Sequence, residues 1–173
     1  MALINKVLPG YVATLWCQDD ATPTPLTDTQ LSTWASIETI IGTAAGGTGT
    51  AGINVPVEAI PAFGADDAVA AFSVAGARTG AKITTQNQVT SLSITSAWNP
   101  ADTAQLLIRD DGYNGTIVRT YVVAVYDGTD TVAYAFNGMV GGMSWDMSPS
   151  AEGKFNFTIH PVGGNSYGWS NNT

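Results

Sequence analysis

The cleanest alternation of apolar and polar residues lies near the carboxyl end, in KFNFTIH. There Phe155, Phe157 and Ile159 take one parity, and Lys154, Asn156, Thr158 and His160 the other. Successive side chains of a strand point to opposite faces, so this spacing predicts a strand with an apolar inner face and a polar outer one. TIVRTYVVAVY, Thr116 to Tyr126, is rich in branched and aromatic residues and reads as a long strand. DGTD, Asp127 to Asp130, supplies a hairpin turn, and TVAYAFNG returns with Val132, Tyr134 and Phe136 on one face. MVGGMSWDM continues the sheet around glycines that permit bending.

Upstream, YVATLW (Tyr11 to Trp16) predicts a first strand, and the proline-broken CQDDATPTPLTDTQ an extended or turning connection. LSTWASIETIIG, Leu31 to Gly42, fits either period, and we read it as a strand. INVPVEAI alternates, but Pro56 would remove a ladder donor and favours an edge strand, a bulge or coil. Asp66-Asp67 could cap a very short helix, or VAAFSVAG could be a further strand. QVTSLSIT places Val89 against the parity of Leu92 and Ile94, which predicts a register shift or bulge between its halves.

A short helix interrupts this β-like sequence. Asn99 can cap it, Pro100 falls in its first turn where a missing donor costs nothing, and Asp102 sits near the positive end of its dipole. Ala101, Ala104, Gln105, Leu107 and Ile108, widened by Leu106, make a face for packing, Arg109 lies on the favourable side of the dipole, and Gly112 is the expected stop. Two and a half turns are too few to stand alone, so the helix should cover an open side or edge of the sheet. The three or four sequential antiparallel strands that follow the helix point to a sandwich or barrel rather than a parallel sheet with crossovers.

The 173 residues suit one domain, 1–173, with a C-terminal arm at 162–173. Only 12% of residues are charged, yet 14 acids against 6 bases leave a net charge of -8. Much of the surface must therefore be neutral Thr, Ser, Asn and Gly, which is easily desolvated and suits contact between copies better than capture of nucleic acid. Thr39 to Val57 and Ile83 to Ala101 are uncharged but too polar to span a bilayer, and the amino terminus lacks a signal-like apolar run. We therefore expect a soluble protein made inside a cell.

Chemistry is hard to assemble from these residues. Cys17 is the only cysteine, excludes an internal disulfide and reads as a buried spectator; His160 is the only histidine and falls on the polar face of its strand. The Asp pairs 19-20, 66-67 and 110-111, with Asp127 and Asp130, neighbour turns, caps or glycines and lack calcium-loop spacing, so they read as solvated turn acids. GTAAGGTGTAG has no large side chain, and carries Gly42, Gly46, Gly47, Gly49 and Gly52. It reads as a mobile loop or one that orders against a neighbouring subunit, and it lacks the Lys and Ser/Thr of a phosphate-cradling loop. No cofactor, metal or enzymatic activity is expected.

The order of an NPAD-started helix with AQLLIR, the strand IVRTYVVAVYDG, the return TVAYAFNGMVGGMSWDM and the closing AEGKFNFTIHPVGG resembles the tail tube (major tail) proteins of tailed bacteriophages, best from about Val89 to Gly164. The resemblance implies a mainly β fold: an antiparallel β-sandwich or partly closed barrel flanked by one short α-helix and a long flexible loop. It implies a structural subunit of the virion tail, synthesised in the host cytoplasm, that self-associates into hexameric rings and stacked tubes. Partners would be the terminator, the tape measure and the baseplate or tip. DNA would pass without specific binding during genome ejection, and the subunit would not insert in a membrane. On this reading Asp127 and Asp130 rim the lumen and the glycine-rich loop joins rings. A capsid decoration or adhesion module of a virion is the alternative.

Overall fold

The computed structural model describes residues 13–63, 65–72, 81–149, 151–162 and 168–171; between 65 and 89, and in the last strand apart from Ser170, the description is of backbone only. Along the chain run β1 (Ala13–Gln18), the single-turn helices α1 (Asp28–Leu31) and α2 (Trp34–Ile37), and β2 (Gly52–Val55). Next come β3 (Ala65–Phe72), β4 (Ala81–Val89), β5 (Leu92–Ala97) and helix α3 (Thr103–Asn114). The chain finishes with β6 (Arg119–Tyr126), β7 (Thr131–Asp146), β8 (Lys154–Pro161) and β9 (Gly168–Asn171).

The main sheet has the order β2-β1-β6-β7-β8-β5, with β9 also on β7, and every pairing is antiparallel. β7 joins its two halves: Thr131 to Gly138 pair with β6, and Gly138 to Asp146 pair with β8 across a register shift between Gly141 and Ser144. The sheet curls until the chain after β2 meets β5, where the Glu58 N–H donates to the Thr95 carbonyl at 3.0 Å. That bond is not extended into a ladder between β2 and β5, so the barrel stays partly open.

Inside the curl, Leu15 and Cys17, Leu92 and Ile94, Tyr121 and Val123, Phe136, and Phe155, Phe157 and Ile159 form one apolar interior, which Ala104 and Ile108 of α3 cover. Outside it, a second cluster sets Leu31, Ile37, Ile40 and Ile41 on Trp16, Val122, Ala124, Ala133 and Ala135. The inward parity expected for Phe155, Phe157 and Ile159 is the one found, as is the shared face of Tyr134 and Phe136. β2 ends immediately before Pro56 at the edge of the sheet. The doubtful register in QVTSLSIT is a change of partner: β4 ends at Val89 on β3, and β5 starts at Leu92 on β8.

Leu31 to Gly42 is not a strand. Leu31, Trp34, Ile37 and Ile41 recur every three to four residues and turn one apolar face toward the sheet through α1, α2 and the turns that follow, so the helical period prevails. α3 also starts and stops later than its sequence suggests. Asn99 Oδ1 accepts from the Ala101 N–H in a turn ahead of the helix, whereas Asp102 is the cap and accepts from the Gln105 N–H at 2.9 Å. Gly112 lies within the helix, where a Cβ would sit 2.4 Å from Met143 Sδ; the stop is Gly115, with φ +66°.

The glycine-rich segment is folded onto its own chain. Thr48, Gly49 and Ala51 donate their N–H groups to the carbonyls of Glu38, Ile41 and Thr39. A Cβ at Gly47 or Gly52 would come 2.1 or 2.0 Å from the oxygen of Ile41 or Ile40, so small residues here permit close backbone approach rather than signalling lack of structure.

Candidate functional site

β5, β8 and the second half of β7 present one continuous face outside the interior. By register it carries Ser93 and Thr95 of β5, Asn156, Thr158 and His160 of β8, and Met139, Gly141 and Ser144 of β7. Short polar side chains bridge neighbouring strands: Thr95 Oγ1 donates to Asn156 Oδ1 at 2.8 Å, Ser93 Oγ lies 3.4 Å from Thr158 Oγ1, and Ser91 Oγ lies 3.0 Å from His160 Nδ1. On the opposite parity of β5 and β8, Leu92, Ile94, Phe155, Phe157 and Ile159 are buried and apolar, and buried Ser96 accepts from Gln105 Nε2, so this face is rigidly backed. Neutral hydroxyls and amides that bond to one another bring no charge to this face.

Cations are countered throughout the described side chains. Arg109 pairs with Asp110 at 2.7 Å on the surface, and Lys154 with Glu58 at 2.9 Å. That bond and the charge of Glu58 raise the Lys154 pKa, with Glu152 and Asp146 adding to the effect. Beside this pair the open seam forms a groove of about 420 Å³ lined by Glu58, Ala59, Pro61, Ser93, Thr95 and Lys154.

Arg119 is fully buried, and sequence reasoning missed its partner. Asp111, expected to be a solvated turn acid, accepts from Arg119 Nε at 2.7 Å and from Nη2 at 2.8 Å, while Nη1 donates to the carbonyls of Gln18 and Asp20. Burial opposes the guanidinium charge, but the hydrogen bond and charge of Asp111 outweigh it and raise the Arg119 pKa. This group therefore ties the end of α3 to the start of β6 and the chain leaving β1. An arginine opening an otherwise apolar strand was the available signal, since a buried guanidinium requires an acid.

Cys17 is buried, and burial pushes its thiol pKa up to about 12 against the pull of Arg119. A thiol held protonated inside the core is no nucleophile. His160 lies outside on the polar face, so the only cysteine and the only histidine are not brought together. Ser91 beside His160 had not been anticipated; the pair is exposed and continues the row of cross-strand polar contacts. Among the described residues no group of three or more His, Cys, Asp or Glu is arranged to hold a metal, and no helix is long and apolar enough to cross a membrane.

No protein-family model matches the sequence, and no curated protein does. Among solved structures, the chain superposes on one from an extracellular contractile injection system, the PVC sheath/tube terminator in its extended state. The TM-score is 0.61 at 9% identity, over 99% of this chain and 100% of the other. The fold is one found in contractile injection systems. A chain in the baseplate of the anti-feeding prophage agrees, with a TM-score of 0.54 at 10% identity over 65% of this chain and 80% of that one. Within this contractile-injection fold, Asp127 and Asp130 occupy the β6–β7 turn, where Asp127 Oδ1 accepts from the N–H groups of Thr129 and Asp130. Gly42, Gly46, Gly47, Gly49 and Gly52 lie in the segment that follows α2 and leads into β2.

Proposed function

We propose that the chain is a structural subunit of a tail-tube-like assembly, and that its β5–β8–β7 polar face lines a channel. The observation that carries this reading is the coincidence of that face with the fold: a rigid wall of mutually bonded Ser, Thr and Asn, in an architecture matched over nearly the whole chain by a component of a contractile injection structure. A wall lacking free cations suits passage of a polyanion, because each phosphate contact would add a salt-dependent grip that ejection must break. The finer parts of the reading are hexameric rings stacked into a tube, genome conduction in a phage tail, Asp127 and Asp130 at the rim, and a glycine-rich loop between rings. One domain spanning 1–173 with its C-terminal arm belongs to the same reading.

Electron microscopy of the assembled protein, averaged down its axis, should show hollow rings. Thr158→Cys should react with a bulky maleimide in free subunits and be protected in long tubes. A protein that stays monomeric in native particles, or equal labelling of Thr158→Cys in both states, would sink the proposal.

A further inference from the structure

Four steps in the sequence place a glycine directly after an acid or its amide: Asp111–Gly112, Asn114–Gly115, Asp127–Gly128 and Asn137–Gly138. At such a step no Cβ shields the following backbone nitrogen, which can reach the side-chain carbonyl carbon and close a five-membered imide. The outcome depends on how firmly the side chain and that nitrogen are held, and the fold holds the four steps differently.

Three of them are locked. Both carboxylate oxygens of Asp111 accept from Arg119 in the interior. Asp127 Oδ1 accepts from the N–H groups of Thr129 and Asp130, each at 2.9 Å. Asn137 is gripped at both ends of its amide, where Oδ1 accepts from Thr120 Oγ1 and Nδ2 donates to the Leu26 carbonyl, each at 2.7 Å. Gly138 is buried and paired on both sides, with β6 and with β8, and a Cβ there would come 2.7 Å from Ile159.

Asn114 is the contrary case. It is the last residue of α3, and it is exposed, as are Gly115 and Thr116. Beyond its chain neighbours, nothing among the described residues lies within 4 Å of where a Gly115 Cβ would stand, so a ring has room to form. The Gly115 N–H makes the final bond of the helix, to the Asp111 carbonyl at 2.9 Å, and such terminal bonds open at little cost. The Thr116 hydroxyl donates to Asn114 Oδ1. That oxygen gathers negative charge when a nitrogen adds to Cγ, so the hydroxyl is placed as an oxyanion donor.

We propose that Asn114–Gly115 is a self-modification site at which the folded protein deamidates through a succinimide. The Gly115 nitrogen gives up its proton to solvent and bonds to Asn114 Cγ, the Cγ–Nδ2 bond breaks, and the amide leaves as ammonia. Water then opens the ring at either carbonyl to give aspartate or isoaspartate, with no change of oxidation state. Either product adds a carboxylate at the negative end of the α3 dipole, one turn from Asp110 and Asp111. Isoaspartate also lengthens the main chain between α3 and β6, the two elements that Asp111 and Arg119 tie together. The chain thus carries a clock that loosens this junction with age, whatever the chain assembles into.

Peptide mapping by mass spectrometry tests it on full-length protein held in warm, mildly alkaline buffer. Asn114 should become a mixture of aspartate and isoaspartate while Asn137 stays intact, and in urea the two should convert at similar rates. Thr116→Val should slow conversion several-fold in the folded protein and not in urea. The melting temperature of aged samples should fall as the isoaspartate fraction rises. Conversion of Asn137 as fast as Asn114 in the folded protein, or survival of folded Asn114 for as long as the urea-treated chain takes to react, would overturn the site. An unchanged folded rate in Thr116→Val would overturn the part assigned to the hydroxyl.

Discussion

The two halves of the main sheet solve different problems with the same backbone. In β1, β6 and the first half of β7 both faces are covered: Val123 enters the curled interior, and its neighbour Val122 lies under the α1–α2 segment. In β8 and β5 only one face is covered, and Phe157 in the core is followed by Thr158 on the open side. The double-sided half contributes burial. The single-sided half keeps a polar surface open while resting on that core. One strand, β7, belongs to both halves and carries the change from covered to open face.

The sharpest way to break this comparison is to place a carboxylate at each parity. Val122→Asp and Val123→Asp should each cost about 5 kcal/mol or more, because both burials would strand a charge. Urea denaturation would measure it, and tolerance of Val122→Asp would show that the outer helices do not seal β6. Next in size, Asp111→Ala should cost about 3–5 kcal/mol by leaving Arg119 buried and unpaired. The double variant Asp111→Leu with Arg119→Met should lose less than that single change. If the double variant is the worse of the two, the carbonyls of Gln18 and Asp20 are the more important partners of Arg119.

A pH series sharpens the comparison further. The Cys17 thiol ordinarily titrates at 9.0 and in the fold at about 12, so burial favours its protonated form. Its contribution to stability is complete below pH 9 and is lost as pH rises from there through about 12. Cys17→Val should therefore flatten the alkaline fall in stability by up to about 4 kcal/mol. Tyr121, whose pKa burial also raises, would keep part of the slope. An alkaline limb identical to wild type would show that the thiol is not sealed. Smallest of all, Thr158→Asp should stay within about 0.5 kcal/mol of wild type, as a change on an open face does.

The single-sided half was the legible one. Alternation in KFNFTIH fixes its parity because each outward position is polar; in the double-sided half the DGTD turn also carries its own chemistry, in Asp127 and Gly128. The double-sided half gave weaker local cues, since its partners come from distant sequence. Leu31, Trp34, Ile37 and Ile41 are spaced for a helical face, yet interrupted helices of one turn also fit alternation over short windows. The Asp111–Arg119 pair joins a helix end to a strand start, and an acid next to glycine resembles any turn acid until the arginine is seen to be buried. The polar wall was foreseen residue by residue on β8, whereas its continuation through Ser91, Ser93 and Thr95 needed the pairing of β5 with β8, which no local pattern supplies.

The position of β1 also sets a timetable. Thr14 meets Ala124, 110 positions further along the chain. Ribosomes add about 5–20 residues per second, so Leu15 and Cys17 emerge roughly 5–20 seconds before the strand that will shield them. The β6–β7–β8 meander is local and can close as soon as it is made, but β1 and its edge neighbour β2 must dock on it late, across long loops whose closure slows folding. During that interval the nascent chain exposes an apolar strand that could pair with the same strand on another ribosome. A cell producing many copies at once would need either spacing between ribosomes or a chaperone holding β1, and the demand would grow with the rate of synthesis.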